Sequence, residues 1–496
     1  MKLFNRFIVS VLFLFLLFPV TVFSREPQPE RTDWFLKHGY GVLVHYLNKI
    51  QNTPKQIASL GKSTSWDDCV NEFNVELFAE RMKETGAGYV IFTVLQQERF
   101  MIAPNETFNR LTGYKTGEAC SSRDLIEDLY QALHQRNIDL MLYFTGDATT
   151  LDPQAAKGLK LQLFPVTEEF VRNWSNVVAE YGNRYKDKVK GYWVDGCWIG
   201  YNDKMFKIFA EGLRAGNPDR IIAFNPGIQA KNTPIIAYSV YEDYTCGEQL
   251  SFSLLPTTGR FLNGEQWHIL SFLGMSSYSA DWGAWAQPGT CKNTLELAEY
   301  IHHVNALGGV VSIDVLLYRD GELDRSQLET LKPLREKINT LAKDRYAWKE
   351  GKAIPAKNIA WKKPAFLRSN NNKRELMPST NITHAARSGN DGNRNTTAVG
   401  AFEWAWTYET DLLEPIKIQR IVVHFGSGYP TEVELFSVAP TGNEISLGRF
   451  NEQKGQSLDV SFDPKEVRQI RVRSYKPNGP NQPGRQMSIA ELEVYE

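Results

Sequence analysis

Between residues 33 and 340, short apolar runs alternate with longer segments in which apolar residues recur three and four positions apart. Such runs predict buried parallel strands, and the longer segments predict amphipathic helices. The predicted strands are Gly41–Tyr46, Tyr89–Val94, Asp139–Phe144, Gly191–Asp195, Arg220–Asn225, Ile235–Tyr241, His268–Phe272 and Gly309–Asp314. Helices are predicted over Val75–Thr85, Ser122–Gln135, Glu168–Arg184 and Leu295–Leu307. This α/β alternation favours a (β/α)8 TIM-like barrel over residues 25–345. A doubly wound sheet is the weaker alternative, because no phosphate-binding glycine motif follows a strand.

The pattern changes after residue 345. Residues 346–374 are rich in Lys, Asn, Pro and Arg without apolar periodicity, which is typical of a linker. From residue 375 to 496, alternating runs are separated by Gly, Pro and Asn turns, which predicts an all-β sandwich of the jelly-roll type. Its predicted strands include Ile418–Phe425, Glu432–Ser437, Leu458–Phe462, Ile470–Val472 and Ile489–Tyr495.

Residues 1–24 have the pattern of a secretory signal peptide. Lys2 and Arg6 precede an apolar run, and Val22 and Ser24 suit a cleavage point near Ser24. We therefore expect export to the periplasm or beyond the cell. No later apolar stretch is long enough to span a bilayer, so membrane insertion is not expected.

Charge and cysteine content limit which binding partners, disulfides and metal sites can be expected. The chain has 56 Lys and Arg against 57 Asp and Glu, and loss of residues 1–24 leaves 54 against 57, a net charge of −3. A nearly neutral chain gives no electrostatic reason to expect nucleic-acid binding. The cysteines are odd in number and scattered, which predicts neither a disulfide framework nor a zinc site, although one or two bridges stay open. The oligomeric state is left open.

The predicted strand ending at Asp195 carries the clearest chemical signal. A carboxylate at the carboxyl end of a parallel strand lies where barrels place their active sites, although it can also cap the next helix. The neighbouring rings of Trp193 and Trp198 are suited to stacking on sugar rings. Polar or aromatic residues also end other predicted strands, which predicts one site at that face: His45, Tyr46, Gln96, Gln97, Glu98, Thr145, Asp147, Asn225, Glu242, Asp243 and Asp314.

The order of motifs resembles glycoside hydrolase family 29, the exo-acting α-L-fucosidases. The resemblance rests on His38 to Tyr46, Gly86 to Val90, the Trp193-Val194-Asp195-Gly196 run, Asp281-Trp282-Gly283, Leu307 to Val311 and Asp320-Gly321. The family's two pocket histidines are replaced here by Gln96 and Gln97, and His268 stands where its acid/base Glu commonly follows a Trp.

The resemblance implies a retaining mechanism with two carboxyl groups and no cofactor or metal. Asp195 matches the family's nucleophile. The general acid is expected to be Glu265, near Trp267, with Glu248 as the second candidate. The expected substrate-binding residues are His45, Trp66, Gln96, Gln97, Tyr143, Trp193, Trp198, His268 and Trp282.

The sequence therefore predicts an exported exo-glycosidase that acts on an oligosaccharide or glycoconjugate and removes terminal α-L-fucosyl or related 6-deoxy sugars. A shifted specificity is the first alternative, because the two histidines are lost. A decayed site acting as a carbohydrate-binding protein is the second, because of His268. The tail resembles the discoidin, or coagulation factor 5/8 C-type, modules through Ser379 to Ile382, Asn393 to Thr397, Trp404 to Trp406, Ile421 to Val423, Val472-Arg473 and Glu491 to Tyr495.

Overall fold

The computed structural model describes residues 26–163, 165–197, 200–225, 227–229, 237, 239–250, 252, 254, 256, 259–277, 282–349, 358–369, 378–379, 386, 388–399, 406–426, 429–438, 443–451, 453, 455–476 and 488–496. The predicted signal peptide lies outside these residues. So do Trp198, Asp281 and Trp404.

The first part of the chain alternates strands and helices. The strands are β1 (Tyr40–Val44), β2 (Tyr89–Thr93), β3 (Asp139–Thr145), β4 (Val189–Asp195), β5 (Ile221–Phe224), β6 (Ile228–Gln229), β7 (Glu248–Gln249), β8 (Phe261–Leu262), β9 (Glu265–Gln266), β10 (His268–Phe272) and β11 (Val310–Val315). The helices are α1 (Pro29–His38), α2 (Asn48–Gln51), α3 (Trp66–Asn71), α4 (Val75–Thr85), α5 (Glu106–Thr112), α6 (Leu125–His134), α7 (Pro153–Gly158), α8 (Glu168–Tyr185), α9 (Asp203–Leu213), α10 (Thr294–Ala306), α11 (Arg325–Leu331) and α12 (Leu334–Lys349).

These strands build a parallel barrel. The hydrogen-bonded order is β5-β4-β3-β2-β1-β11-β10-β7-β6. Strands β5 and β6 lie at opposite ends of this order but follow one another closely in the chain, so the sheet curls round to bring its ends together. Strands β5 and β6 together occupy one strand position of the barrel, which gives eight strand positions in all. The predicted α/β barrel is confirmed.

Side chains alternate in direction along each strand and pack into two separate cores. Residues pointing inward, such as Leu43, Met141, Trp193 and Leu270, fill the barrel interior. Their neighbours Val42, Leu142, Val194 and Ile269 point outward and pack against the helices. Because side chains alternate along a strand, these inward apolar residues also determine which side chains point inward at its carboxyl end.

The four predicted helices are present as α4, α6, α8 and α10. Each begins where a polar side chain accepts a hydrogen bond from a free backbone N–H of the first turn. Asn74 caps α4, Thr167 caps α8, and Asn293 with Glu296 forms a capping box on α10. Caps and periodicity agree, which explains why these predictions match closely.

One predicted barrel strand differs. The described part of Ile235–Tyr241, residues 237 and 239–241, forms turn and irregular structure. The sixth position is taken instead by β7, which pairs in parallel with β10 and β6. Its two residues offer no apolar run for a pattern to detect.

The C-terminal part is antiparallel throughout. Its strands are β12 (Ala365–Ser369), β13 (Pro378–Ser379), β14 (Ala398–Val399), β15 (Trp406–Phe425), β16 (Glu432–Val438), β17 (Glu444–Asn451), β18 (Ser457–Lys476) and β19 (Ser488–Tyr495). The long strand β15 pairs with β12 near its start and with β19 near its end, so it passes between two sheets around a common core. The predicted sandwich is confirmed. Leu458–Phe462 and Ile470–Val472 belong to the single strand β18, and β12 lies within the predicted linker.

None of the five cysteines forms a disulfide bond. Among the described residues, no helix is both long and apolar enough to cross a membrane.

Candidate active site

Six polar side chains meet at the carboxyl ends of the barrel strands. Their positions follow the inward parity of β1, β3, β4, β5, β7 and β11: His45, Tyr143, Asp195, Asn225, Glu248 and Asp314. Four of these, His45, Tyr143, Asn225 and Asp314, are at most 5% exposed. The barrel therefore presents two central carboxyl groups, Asp195 and Glu248, within a ring of potential hydrogen-bonding partners.

Asp195 is held by three hydrogen-bond donors. The Tyr143 hydroxyl donates to Oδ2 at 2.7 Å, and the Asn225 amide donates to Oδ1 at 3.0 Å. The backbone N–H of Gly196 also donates to Oδ1, at 2.9 Å. An ionised carboxylate is an acceptor only and can accept all three. This network fixes the orientation of the Asp195 side chain.

Glu248 lies beside Asp195 and has a different environment. Burial raises the pKa of the Glu248 carboxyl well above its usual range, and the negative charges of Asp195 and Asp314 raise it further. The Asn225 side chain, which donates to Asp195, also interacts with Glu248 and partly offsets this rise in pKa. The site thus joins a firmly held carboxylate to a carboxyl that keeps its proton.

His45 and Asp314 form a second pair, in which His45 contacts Tyr143. His45 Nε2 is 3.7 Å from Asp314 Oδ2, and its ring lies edge-on to Tyr143 with centroids 5.5 Å apart. Burial lowers the pKa of His45 to about 3 and raises the pKa of Asp314 to about 7. His45 is therefore a neutral imidazole at physiological pH. The ring of Trp285 covers it, with a centroid distance of 5.1 Å.

Gln96 and Gln97 connect the site to its rim. Gln96 Nε2 donates to the Tyr143 hydroxyl at 2.8 Å, and Gln97 Nε2 donates to Asp147 Oδ2 at 3.0 Å. Burial raises the pKa of Asp147 to about 6, partly offset by the Gln97 hydrogen bond and reinforced by the Asp195 charge. The ammonium group of Lys49 interacts electrostatically with Glu98, Asp147 and Asp195. Gln96 and Gln97 therefore contact Tyr143 and Asp147, two residues that interact with Asp195.

Several buried atoms around this ring lack a hydrogen-bond partner among the described residues. They are His45 Nδ1, Gln96 Oε1, Asp147 Oδ1 and Asp314 Oδ2. An unsatisfied buried polar atom costs about 1–3 kcal/mol, so native folds rarely keep a cluster of them without a reason. Sugar hydroxyls both donate and accept, and would satisfy such atoms.

Two predicted site residues lie at the opposite end of the barrel. Glu265 pairs with Leu262 in the β8–β9 hairpin, before the amino end of β10. His268 begins β10, where Nε2 contacts Ser312 Oγ at 2.8 Å and Nδ1 contacts the Thr245 carbonyl at 3.1 Å. Burial lowers the pKa of His268 to about 3. The structure does not bring either residue to the carboxylate pair.

The predicted tryptophans are also dispersed. Trp193 points into the barrel interior and lies edge-on to His268, with centroids 5.7 Å apart. Trp66 is 3% exposed and donates from Nε1 to the Met101 carbonyl at 2.8 Å, outside the barrel. Trp282 is half-buried in the connection after β10. Sequence spacing alone did not separate ring-stacking tryptophans from core tryptophans.

Other residues of the site had no role predicted for them. Asn225, Asp147 and Asp314 were predicted as strand ends at the face of the site, but none was named as a catalytic or substrate-binding residue. Trp285 follows the Trp282-Gly283 motif closely, so the motif could have indicated it. Lys49 follows the strand end at His45 by four residues, without a motif of its own.

Among the described residues, no group of three or more His, Cys, Asp or Glu side chains is arranged to hold a metal ion.

A barrel that joins a firmly held carboxylate to a protonated carboxyl at its carboxyl end has the features of a glycoside hydrolase. The α-L-fucosidase family model matches residues 21–339, more than half of the chain. The chain therefore belongs to the α-L-fucosidase family and is a glycoside hydrolase of the fucosidase type.

Solved structures are similar to this chain at low identity. A Ruminococcus gnavus family 29 fucosidase in complex with fucose is 13% identical, with a TM-score of 0.43 over 95% of each chain. An endo-fucoidan hydrolase of glycoside hydrolase family 107 is 14% identical, with a TM-score of 0.48 over 69% of this chain and 55% of that one. No curated protein matches the sequence.

Proposed function

We propose that this fucosidase-type glycosidase removes terminal α-L-fucosyl or related 6-deoxy residues from glycans with retention of configuration. Asp195 is the nucleophile and Glu248 is the general acid and base. One observation carries the assignment: the Asn225 side chain interacts with both carboxyl groups, and the charge of Asp195 raises the pKa of Glu248.

The closeness of the two carboxyl groups supports a retaining geometry. Asn225 donates to Asp195 at 3.0 Å and also interacts with Glu248, and the charge of Asp195 raises the pKa of Glu248. Retaining glycosidases place their carboxyl groups about 5–5.5 Å apart, whereas inverting enzymes leave about 6.5–9.5 Å for a water molecule. We expect Asp195 and Glu248 to have the shorter separation.

The firmly held Asp195 and the protonated Glu248 would act as nucleophile and general acid in a two-step reaction. Asp195 attacks the anomeric carbon while the bond to the leaving oxygen breaks, and Glu248 gives its proton to that oxygen. Water then attacks the glycosyl-enzyme, Glu248 takes one proton from it, and Asp195 leaves as carboxylate. The net change is hydrolysis of one glycosidic bond.

The unpartnered buried atoms would hold the sugar hydroxyls. His45 and Gln96 both contact Tyr143, and their unpartnered atoms Nδ1 and Oε1 belong to the same ring as Asp147 Oδ1 and Asp314 Oδ2. Because Glu248 supplies a second carboxyl group, the site favours an active enzyme over a decayed, merely carbohydrate-binding protein. Gln96 and Gln97 still leave the choice among 6-deoxy and related sugars open to test.

Two further proposals rest on the sequence. The signal-peptide pattern of residues 1–24 supports export, with an oligosaccharide or glycoconjugate as substrate. The discoidin-like residues of the tail, together with its antiparallel sandwich, support a carbohydrate-binding module.

The test uses a panel of aryl glycosides, including α-L-fucoside, with three variants. We expect Asp195→Ala to lower kcat by about 1,000-fold or more, and Glu248→Ala to lower it by about 100- to 10,000-fold. Glu265→Gln is the matched control, because Glu265 is a buried glutamate at the far end of the barrel, and it should keep activity within about threefold.

Azide distinguishes the two roles. In Glu248→Ala, azide should restore turnover of a substrate with a good leaving group and give a glycosyl azide of retained configuration. Full activity of Glu248→Ala, or loss of activity in Glu265→Gln alone, would contradict the assignment of Glu248. Cleavage of other glycosides but not of the fucoside would contradict the sugar.

A further inference from the structure

A groove with a volume of about 680 Å³ adjoins the site on the same face of the barrel. It lies between the connection after β1 and the connection after β2. The residues that determine its chemistry are Asn48, Ser63, Thr64, Arg99, Phe100 and Tyr114. Its volume falls within the range of about 300–1,000 Å³ that is typical of small-molecule sites.

The groove is continuous with the active site through the segment 96–100. Gln96 and Gln97 contact Tyr143 and Asp147, whereas Arg99 and Phe100 line the groove. Two residues of extended chain span about 7 Å, so the groove begins within about one sugar ring of the site. Asn48, also a lining residue, interacts with Glu98 of this segment and lowers its pKa slightly.

The floor of the groove is held in place by a network around Arg99. Its Nη1 pairs with Asp152 Oδ2 at 2.8 Å, and the Tyr114 hydroxyl donates to Asp152 Oδ1 at 2.9 Å. The guanidinium also lies over the Phe100 ring, 4.4 Å from its centroid. Trp66 supports Phe100 from behind, with ring centroids 5.8 Å apart. A floor fixed in this way is preorganised for a ligand.

The chemistry of the lining favours an uncharged, hydroxyl-rich ligand. Asn48, Ser63 and Thr64 supply amide and hydroxyl groups, and Phe100 and Tyr114 are half-buried rings. The charge of Arg99 is already neutralised by Asp152, and Glu118 is the acidic residue of the lining. No excess positive charge lines this groove for a sulfated or carboxylated chain.

We propose that this groove binds the neutral glycan that carries the scissile sugar, so that the enzyme recognises the leaving group as well as the terminal residue. This inference rests on the proposed function, because it names the part of the substrate that leaves. It assigns Trp66 to the supporting wall of the groove rather than to the site around Asp195.

The test blocks the groove without touching the carboxylate pair. Ser63 and Lys55 are both exposed and belong to the same connection after β1, but only Ser63 lines the groove. The variants are Ser63→Trp, with Lys55→Trp as the matched control. Phe100→Leu removes a ring while keeping an apolar group against Trp66, and serves as an independent second variant. Thermal denaturation of each variant establishes that it is folded.

Kinetics give the first readout. We expect Ser63→Trp and Phe100→Leu to lower kcat/KM about tenfold or more on the fucosylated oligosaccharide that the wild type cleaves fastest. Hydrolysis of an aryl α-L-fucoside should stay within about twofold, and Lys55→Trp should behave as wild type on both substrates. Equal effects on the aryl and oligosaccharide substrates would overturn the proposal.

Calorimetry gives a readout that does not depend on fucosidase activity. Lactose, N-acetyllactosamine, cellobiose and xylobiose are titrated into each full-length protein. Binding of at least one of them that weakens about tenfold in Ser63→Trp, but not in Lys55→Trp, supports the groove even if no fucoside is cleaved. Binding of none of them to the wild type, or binding unchanged in Ser63→Trp, overturns it.

Discussion

The hydroxyl of Tyr143 joins the two halves of the site. It donates to Asp195 Oδ2 at 2.7 Å and accepts from Gln96 Nε2 at 2.8 Å. The tyrosine is buried, and burial raises its pKa well above the usual range, so the hydroxyl remains a donor. At the residue scale, Tyr143 is therefore a positioning group for Asp195.

The change Tyr143→Phe tests this role. A hydrogen bond to a charged group contributes about 1.5–3 kcal/mol, so we expect kcat/KM on an aryl α-L-fucoside to fall about 10- to 100-fold. Tyr192→Phe is the control, because Tyr192 is equally buried but faces the helices. It should change activity less than twofold. Equal losses in the two variants would indicate a packing effect instead.

The ionisation of Asp314 makes the free energy of unfolding depend on pH. Burial raises its folded-state pKa to about 7, against 3.8 for an exposed aspartate. Because the unfolded chain ionises first, this residue lowers the free energy of unfolding as pH rises from about 4 through 7. The stabilising protonated state is fully present only below that window.

The variant Asp314→Asn removes the ionisation. We expect its free energy of unfolding, relative to wild type, to be about 2–3 kcal/mol more favourable at pH 8 than at pH 5. Urea titrations at the two pH values measure this difference. A difference that is the same at both values would show that the Asp314 carboxyl titrates normally in the folded protein.

At the scale of elements, the connection after β4 positions both Asp195 and Asp147. Gly196 has φ +72°, and a Cβ added there would lie 2.8 Å from Asp147 Oδ1. Its N–H also donates to Asp195. Only glycine combines this backbone conformation with so close an approach. The turn between strand and helix is therefore part of the site.

Gly196→Ala should both strain the turn and displace Asp147. We expect it to lower stability by about 1–3 kcal/mol and kcat/KM by tenfold or more. Gly200→Ala is the matched control, since Gly200 also has positive φ, +102°, but nothing lies within 4 Å of the added Cβ. It should lose stability without a comparable loss of activity. Similar kinetics in both variants would show that the Asp147 contact has no role.

The strands and helices differed in how clearly the local sequence predicted them. Strands β1, β3 and β4 are five to seven residues long and mostly apolar, and helices α4 and α8 combine periodicity with a capping residue. Strand β7 has two residues and no apolar run. Its place is set by pairing with β10 and β6, which are distant in the chain, so local patterning could not find it.

At the scale of the whole molecule, Arg468 connects the β-sandwich to the barrel. It lies on β18, where Nε is 3.3 Å from Asp411 Oδ1 and Nη2 donates to the Pro256 carbonyl at 3.1 Å. Pro256 belongs to the segment between β7 and β8. Both Arg468 and Asp411 are buried, so removal of one partner would leave an uncompensated charge inside the protein.

Arg468→Ala tests this connection in the full-length protein. It leaves the buried carboxylate of Asp411 without its cation, and we expect a loss of about 3–5 kcal/mol in the free energy of unfolding. Arg394→Ala removes a surface pair with Glu493 and should cost less than about 1 kcal/mol. Losses of similar size would mean that the Arg468 pair does not brace the two parts.

The barrel, the sandwich and the position of Asp195 at a strand end could all be predicted from local patterns in the sequence. Apolar periodicity, caps and turns act over a few residues and can be read along the chain. The second carboxyl group beside Asp195 became clear only from the folded structure. Glu265 and Glu248 are 17 residues apart in the chain. One lies before a barrel strand and the other on a strand beside Asn225, so they fall at opposite ends of the barrel. Strand pairing and burial, which depend on residues distant in sequence, separate them.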